Sequence, residues 1–242
     1  MCTVSFIPVR DTIIITSNRD EKKNRRKAIA PSIYRHNGWN MVYPKDAEAG
    51  GTWIAAKENG DAAVLLNGAF ICHVPQPPYR ASRGKLFLDI ISTEYPARTF
   101  SKMDLSGIEP FTLIVVEKQS LYEFRWDGNE KYAKQLPTNR AHIWSSSTLY
   151  DGLAAKKREQ WFANFLNRVG NPTPFDVVKF HKSAGEGDKR NSLLMERDGI
   201  YSTVSITSVL LNQDRAVMKY IDIENQIESE IKVGLIKTHE PV

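Results

Sequence analysis

Three consecutive isoleucines, Ile13-Ile14-Ile15, lie inside an apolar stretch, residues 12–17, that is followed at once by Asn18-Arg19-Asp20-Glu21. Successive side chains of a strand point to opposite faces, so such a run is apolar on both. This is the pattern of a strand buried on both faces, and it calls for a packed layer on either side. A second stretch, residues 3–9, precedes it across the break Arg10-Asp11, which is short enough for a hairpin. The start of the chain therefore predicts two paired strands inside a layered fold.

The rest of the chain supplies the layers. Residues 22–50 are polar and turn-rich and predict a long loop with fragments of strand. Residues 51–57 and 61–66 predict a strand pair about Glu58-Asn59-Gly60, because Asn-Gly is a strong hairpin signal. Residues 82–95 predict a helix with Leu86, Phe87, Ile90 and Ile91 as its apolar stripe and Pro96 as its stop. Residues 111–117 and 121–126 are β-rich. Residues 151–169 predict a helix with Leu153, Trp161, Phe162, Phe165 and Leu166 on one face. Thr173-Pro174 opens another, with Thr173 as cap and Pro174 in the first turn. Residues 201–211 and 216–223 close the chain as a hairpin. Strands and helices come in segregated runs, which argues for α+β layering. A four-layer αββα sandwich fits, with two antiparallel sheets inside and helices outside. No linker divides it, so residues 1–242 read as a single domain.

Composition narrows the function. Hydrophobic residues make up 41% and charged residues 25%, with a net charge of +5. This is ordinary globular composition with a mild preference for anionic partners. The run Lys22-Lys23-Asn24-Arg25-Arg26-Lys27 reads either as a solvated loop or as a docking rim for an anionic ligand. It lacks the interleaved aromatics of a nucleic-acid binder, and none is expected as partner. Two cysteines, Cys2 and Cys72, suit a reducing compartment, and the chain reads as cytoplasmic. No apolar run approaches the ~20 residues of a transmembrane helix. There is no Walker loop and no Gly-x-Ser-x-Gly elbow, and Gly185-Glu186-Gly187 lacks a third glycine. His36, His73, His142, His181 and His239 show no zinc spacing, so no metal and no resident cofactor are expected.

Four groups of residues carry possible chemistry. Cys2 becomes the N-terminal residue if Met1 is removed, and it then holds a thiol nucleophile and an α-amine base, with pKa about 7.7–8.0, on one residue. As a small hydrophobe it would equally start a strand. Asn18-Arg19-Asp20-Glu21 returns to Cys2 if the first two strands pair. Arg19 is then placed to hold the thiolate and Asp20 to accept from the terminal ammonium; the plain alternative is a polar turn. In Gly50-Gly51-Thr52-Trp53 the glycines allow close backbone approach and N–H groups facing an anion, and Trp53 lines a pocket or anchors the core. Asn67, before Gly68, either donates its amide to an oxyanion or opens a turn.

The ordered set of Met1-Cys2, Asn18-Arg19-Asp20-Glu21, Gly50-Gly51-Thr52-Trp53, Asn67 and Ser82-Arg83-Gly84 resembles the NRDE family of transport and Golgi organisation proteins. The resemblance is densest over the first 90 residues. It implies an N-terminal-nucleophile hydrolase fold akin to the cysteine acylases that cleave bile-salt and penicillin V amides. By that resemblance Cys2, Arg19, Asp20 and Asn67 are catalytic, and the reaction is hydrolysis of a linear, non-peptide amide. Asn18, Glu21, Arg25, Gly50, Gly51, Trp53 and Ser146 would then bind the ligand, a small anionic or amphipathic molecule. The cysteine acylases also carry an Asn and an Arg where this chain has Ser146 and Val204. The same resemblance leaves open a non-catalytic protein that binds or moves haem or another amphipathic anion.

The small Cys2 side chain predicts that Met1 is removed from the mature protein. Intact mass of the protein from its native host should be lower by one methionine residue; full retention of Met1 would eliminate the free-amine mechanism.

Overall fold

The computed structural model describes residues 2–236; Met1 and His239 lie outside them. One sheet contains β1 (Cys2–Val9), β2 (Thr12–Lys22), β10 (His142–Ser145), β12 (Tyr201–Leu211), β13 (Arg215–Asp222) and β14 (Ile227–Gly234) in the order β10-β1-β2-β12-β13-β14, with the short β11 (Glu196–Arg197) paired to β12. The other runs in chain order through β3 (Ile29–His36), β4 (Trp39–Lys45), β5 (Ile54–Lys57), β6 (Ala62–Asn67), β7 (Phe111–Glu117), β8 (Ser120–Trp126) and β9 (Lys131–Leu136). Helices α1 (Arg83–Ile91) and α2 (Pro96–Lys102) accompany the second sheet, and α3 (Gly152–Val169) and α4 (Pro174–Ser183) the first.

The triple isoleucine explains the layering. Ile15 joins Val4 and Phe6 in the core between the two sheets, with Ile13 packed at its margin. Ile14 points the other way and packs with Ile7 against Phe162, Phe165 and Phe180 of α3 and α4. On the far side Met41, Ala55, Leu65 and Leu113 of the second sheet meet Leu86, Phe87, Ile90 and Ile91 of α1. The arrangement is a four-layer αββα sandwich.

Several sequence expectations need correction. The polar stretch of residues 22–50 contains two full strands, β3 and β4. Neither shows a clean alternation: β3 is buried only at Pro31 and leaves Ile29 and Ile33 exposed, while β4 is buried at four successive positions from Met41 to Pro44. Pro96 starts α2 rather than stopping α1, which already ends at Ile91; proline suits a first helical position because its missing N–H would be unpaired there anyway. Leu153 is 74% exposed, and the buried face of α3 is Ala154, Arg158, Phe162 and Phe165. Four strands, β9, β10, β11 and β14, lie outside the sequence expectation. Of these, β9 is mostly exposed and lacks an apolar signal. The α4 entry behaves as expected: Thr173 and Asp176 form a reciprocal capping box, with Pro174 in the first turn.

The glycine motifs turn out to be one contact. Residues 50–52 lie against the start of α1 so closely that a Cβ on Gly51 would come within 2.3 Å of the Gly84 carbonyl carbon. A Cβ on Gly84 would in turn meet the Thr52 carbonyl oxygen at 2.9 Å. Each glycine is needed because the other segment's main chain fills its side-chain space. Gly51→Ala should therefore destabilise the fold by about 1–3 kcal/mol or more. Gly152→Ala, where nothing lies within 4 Å of the added carbon, should change stability by less than about 1 kcal/mol. Parallel denaturant melts decide; equal stability of the two variants would remove the Gly51–Gly84 contact from the account.

Candidate active site

The hairpin of β1 and β2 sets Cys2 opposite Arg19, and alternation then fixes which side chains share a face. Cys2 belongs to the face that looks across at the second sheet, with Val4 and Phe6. There the end of β6 brings up Asn67. Ser146, just past β10, ties the two together. Its main-chain N–H donates to the Cys2 carbonyl at 2.9 Å, and its hydroxyl donates to the Asn67 carbonyl at 2.6 Å. With that proton committed, the Thr148 hydroxyl, 2.9 Å away, donates to Ser146 Oγ. Gly68 has φ +80°, and a Cβ there would sit 2.3 Å from Ser147 Oγ, so the turn after Asn67 closes only on glycine. Ser146 is 1% exposed and does not line the cleft; it holds the cleft's two walls together.

The cleft has a volume of about 450 Å³. Cys2, Arg19, Glu21 and Arg25 form one wall, Asp46, Gly51 and Trp53 another, and Asn67, Tyr79, Arg83 and Glu109 the rest. Its charges are matched. Asp46 Oδ2 accepts from Arg19 Nη2 at 2.6 Å and from Arg25 Nε at 3.1 Å, and Oδ1 accepts from Arg25 Nη2 and the main-chain N–H groups of Glu48 and Ala49. Burial would push the Asp46 carboxyl up, but the Ala49 N–H and the two arginines hold it below its ordinary value. Glu21 lies 3.7 Å from Arg19 and 3.6 Å from Arg25. Arg83 pairs with Glu109 at 2.9 Å, and Glu109 also meets His73 Nε2 at 3.0 Å. The Arg19 guanidinium lies over the Trp53 ring, 4.6 Å from its centroid, so Trp53 serves both as wall and as a cation platform. Trp53 Nε1 is buried without a hydrogen-bond partner among the described residues.

Cys2 itself is 2% exposed, and burial pushes its thiol up, with the Asp20 charge adding to the shift. Ser17 and Arg19 pull it down without reversing it. Arg19 is spent mainly on Asp46 and Trp53, so in the resting cleft Cys2 is a thiol rather than the Arg19-held thiolate that the sequence suggested.

Asn18 and Asp20 face away from the cleft. A strand cannot present neighbouring residues on one face, so with Arg19 turned inward the flanking pair points to α3 and α4. Both are fully buried. The Asn18 amide nitrogen donates to the carbonyls of Leu193 at 2.6 Å and His181 at 3.1 Å, and its oxygen accepts from His181 Nδ1 at 2.5 Å. This sets the His181 tautomer: Nδ1 carries the proton, and Nε2 accepts from the Ser5 hydroxyl at 2.7 Å. Asp20 accepts from the Tyr150 and Thr203 hydroxyls, both at 2.7 Å. Burial raises its carboxyl pKa, opposed by Arg158, Thr203 and Tyr150. Arg158 is fully buried, its guanidinium 3.3 Å from the Tyr150 ring centroid and bonded to Thr3 Oγ1 and the carbonyls of Asn191 and Ser192. Asn18 makes structural bonds here and touches no part of the cleft. Gly50 also departs from expectation, because its N–H donates to the Asp46 carbonyl in a turn. Val204 occupies a bulge in β12: Thr203 pairs with Asp20 and Ser205 with Arg19, leaving Val204 between them. Of the basic run, Lys23 pairs with Glu196 and Lys27 with Glu224 at the surface, and Arg25 alone lines the cleft.

The sequence reading missed Asp46, Glu109, Tyr150 and Arg158, and quoted Arg83 only as a helix start. Arg158 left a signal, standing at helical spacing between Ala154 and Phe162 on the buried stripe. Asp46 and Glu109 left none, since their partners are distant in sequence.

Residues 1–227 match the family described as Transport and Golgi organisation 2. Comparison with curated protein sequences gives no match. Among solved structures, the chain is similar to a Caenorhabditis elegans ortholog of N-acylethanolamine-hydrolyzing acid amidase, with TM-score 0.58 and 13% identity over 86% of this chain and 92% of that one. It is also similar to a mutant of conjugated bile acid hydrolase from Clostridium perfringens, with TM-score 0.54 and 10% identity over 96% of this chain and 92% of that one. Identities this low speak for the fold alone.

The buried polar layer behind the cleft makes stability depend on pH. Burial, together with the Arg158 charge, lowers the His181 pKa from 6.5 to about 3. The folded protein then keeps His181 neutral where the unfolded chain protonates it. Stability is unaffected by this group above its unfolded pKa and falls as pH drops from there towards 3, by about 1.4 kcal/mol per unit. Asp20, with its raised pKa, works in the opposite direction but is present in both proteins compared. His181→Gln should flatten the acid side of the stability profile. Superimposable slopes for the two proteins between pH about 6 and about 4 would show that His181 is not the titrating group.

Proposed function

Since the chain belongs to the Transport and Golgi organisation 2 family, we propose that it is a cysteine-type N-terminal-nucleophile hydrolase of linear, non-peptide amides with Cys2 as nucleophile. One observation carries the reading: Cys2 and Asn67 line the same cleft, and Ser146 joins the two strands that bear them. Once Met1 is removed, the Cys2 α-amine takes the thiol proton, which offsets the burial that disfavours the thiolate. Sulfur attacks the amide carbonyl carbon, and the Asn67 amide and a main-chain N–H hold the oxyanion. The α-ammonium returns its proton to the departing nitrogen as the C–N bond breaks, leaving a thioester on Cys2. Water, deprotonated by the same amine, attacks the thioester, and the acid leaves with the thiol restored. Arg19 and Arg25, already gathered by Asp46, offer cations to an anionic part of the substrate. Asp20, on the far face of β2, acts as a positioning residue for the strand end through Tyr150 and Thr203.

The bulged Val204 and the raised Cys2 thiol favour a second reading, a protein that binds or moves haem or another amphipathic anion without turnover. By the resemblance Val204 stands where the cysteine acylases carry an Arg, and its side chain donates no hydrogen bond.

Processed protein should hydrolyse N-acyl amides; Cys2→Ala should abolish this, and Asn67→Ala should lower kcat by about 10²–10³. Thermal melts on the same samples separate lost chemistry from lost folding. Undiminished turnover in Cys2→Ala would end the hydrolase proposal as written. Tight binding of haem or a long-chain acyl anion, with no turnover of any amide by the native protein, would establish the second reading.

A further inference from the structure

β2 carries one polar group that the resting protein leaves unused. By strand alternation Ser17 shares a face with Ile15, which lies in the core between the sheets, and with Arg19, which lines the cleft. Ser17 is fully buried, and its hydroxyl has no hydrogen-bond partner among the described residues. A buried hydroxyl in this state costs stability, and an alanine or valine would fill a core position without that cost. Such a group calls for an explanation, and a part in chemistry is one.

Other hydroxyls nearby are unpartnered too, but only Ser17 stands next to the nucleophile. Val4, Ser17, Thr207, Tyr220 and Ser229 form one crosswise row through β1, β2, β12, β13 and β14. The hydroxyls of Ser17, Thr207 and Ser229 all lack partners among the described residues. Of the strands that bear them only β2 pairs with β1, the strand that starts at Cys2. In that register Cys2 faces Arg19 and Val4 faces Ser17, so Cys2 and Ser17 are diagonal neighbours on one face of the sheet. In the resting thiol the Ser17 hydroxyl makes no well-directed hydrogen bond, yet it stands near enough to the sulfur to draw the thiol pKa down.

The charged groups around the sulfur are engaged elsewhere or act against a thiolate. Arg19 is held by Asp46 and lies over Trp53. Arg83 is held by Glu109 and the Pro110 carbonyl. Asp20, on the far face of β2, disfavours a thiolate by its charge, and burial disfavours it more. A thiolate formed here needs a donor whose proton is free. The Ser17 O–H can turn to sulfur without breaking any bond that it makes in the resting state.

We infer that the Ser17 hydroxyl donates a hydrogen bond to the Cys2 thiolate as it forms, which makes Ser17 a further catalytic residue of the cleft. The thiol proton leaves for the α-amine, and the Ser17 proton stays on its own oxygen. The hydrogen bond lapses when sulfur bonds to the carbonyl carbon. It forms again when the thioester is cleaved and sulfur departs with its electron pair. The part played in turnover rests on the hydrolase reading; the effect on ionisation of Cys2 does not.

The test reads that ionisation without any amide substrate. Alkylation of Cys2 by iodoacetamide is followed by peptide mapping from pH about 6 to about 10, with the exposed Cys72 as internal reference. Ser17→Ala should slow Cys2 alkylation at least about tenfold at neutral pH, the effect of losing a hydrogen bond to a charged group. Its pH profile should move upward, and its rate should rejoin the native rate at the alkaline plateau, where every thiol is ionised. Its melting temperature should equal or exceed the native one, because an unpartnered buried hydroxyl has been removed. Thr207→Val, which removes an equally buried hydroxyl one strand further from Cys2, should leave the profile in place. An unmoved profile in Ser17→Ala would overturn the proposal. So would a rate lowered by one factor at every pH, which is lost access rather than lost ionisation. A Ser17→Ala protein that does not fold would overturn it as well, since the hydroxyl would then have a structural partner. An equal displacement in Thr207→Val would show that the row acts through packing, with the same consequence. A profile that moves only in Ser17→Ala, in a protein that turns over no amide, would uphold the thiolate contact and sink the hydrolase reading alone.

Discussion

β2 is covered on both faces from Ile14 to Asp20, and the polar groups it carries there need partners inside the protein; of its side chains only Ser17 Oγ is left without one among the described residues. An unpaired buried polar group costs on the order of 1–3 kcal/mol, and an unpaired buried charge more. The strand solves this by sending its polar residues two ways. Arg19 turns inward to Asp46 and Trp53 in the cleft. Asn18 and Asp20 turn outward, where His181, Tyr150 and Thr203 receive them. The outer network explains why α4 carries a histidine on its buried face and why α3 buries Arg158. The Arg158 charge is spread over carbonyls, a hydroxyl and an aromatic face, with Asp20 reached only through Tyr150. The cleft on one side and the polar layer on the other are two consequences of one central strand.

The same economy shapes the cleft. Three arginines line it, yet Asp46, Glu21 and Glu109 match them, so the lining is close to neutral. A ligand carboxylate or phosphate entering between Arg19 and Arg25 competes with Asp46 for the same N–H donors. Selectivity then depends on whether the newcomer meets the fork geometry better than Asp46 does, which favours planar or tetrahedral oxyanions over diffuse negative charge.

The central features were legible in the sequence because they are local or periodic. The isoleucine run implied two covered faces, the short break after Val9 implied the hairpin, and that hairpin brought Arg19 to Cys2. Gly51 and Gly84 were both visible as motif residues, but only packing shows that they face each other. The tetrad Asn18 to Glu21 was read as one constellation, although strand alternation forbids neighbours from sharing a face. Glu21 lines the cleft with Arg19, while Asn18 and Asp20 lie behind it. Asp46 and Glu109 escaped notice because an acidic residue in a polar loop looks like any other until its distant partner is known. β3 and β9 escaped because strands that face solvent on most positions lose their apolar alternation.

Ser146 spans the gap between the sheets with one main-chain and one side-chain hydrogen bond. The distance between the Cys2 strand and the Asn67 strand is thereby set during folding, by bonds that no ligand has to form. Conformational entropy that a looser cleft would surrender on binding has already been surrendered here. A guest that fits this spacing meets a rigid host and loses mainly its own freedom. A guest that does not fit must break a buried bond to widen the gap, so the cleft discriminates by width before any polar group is read.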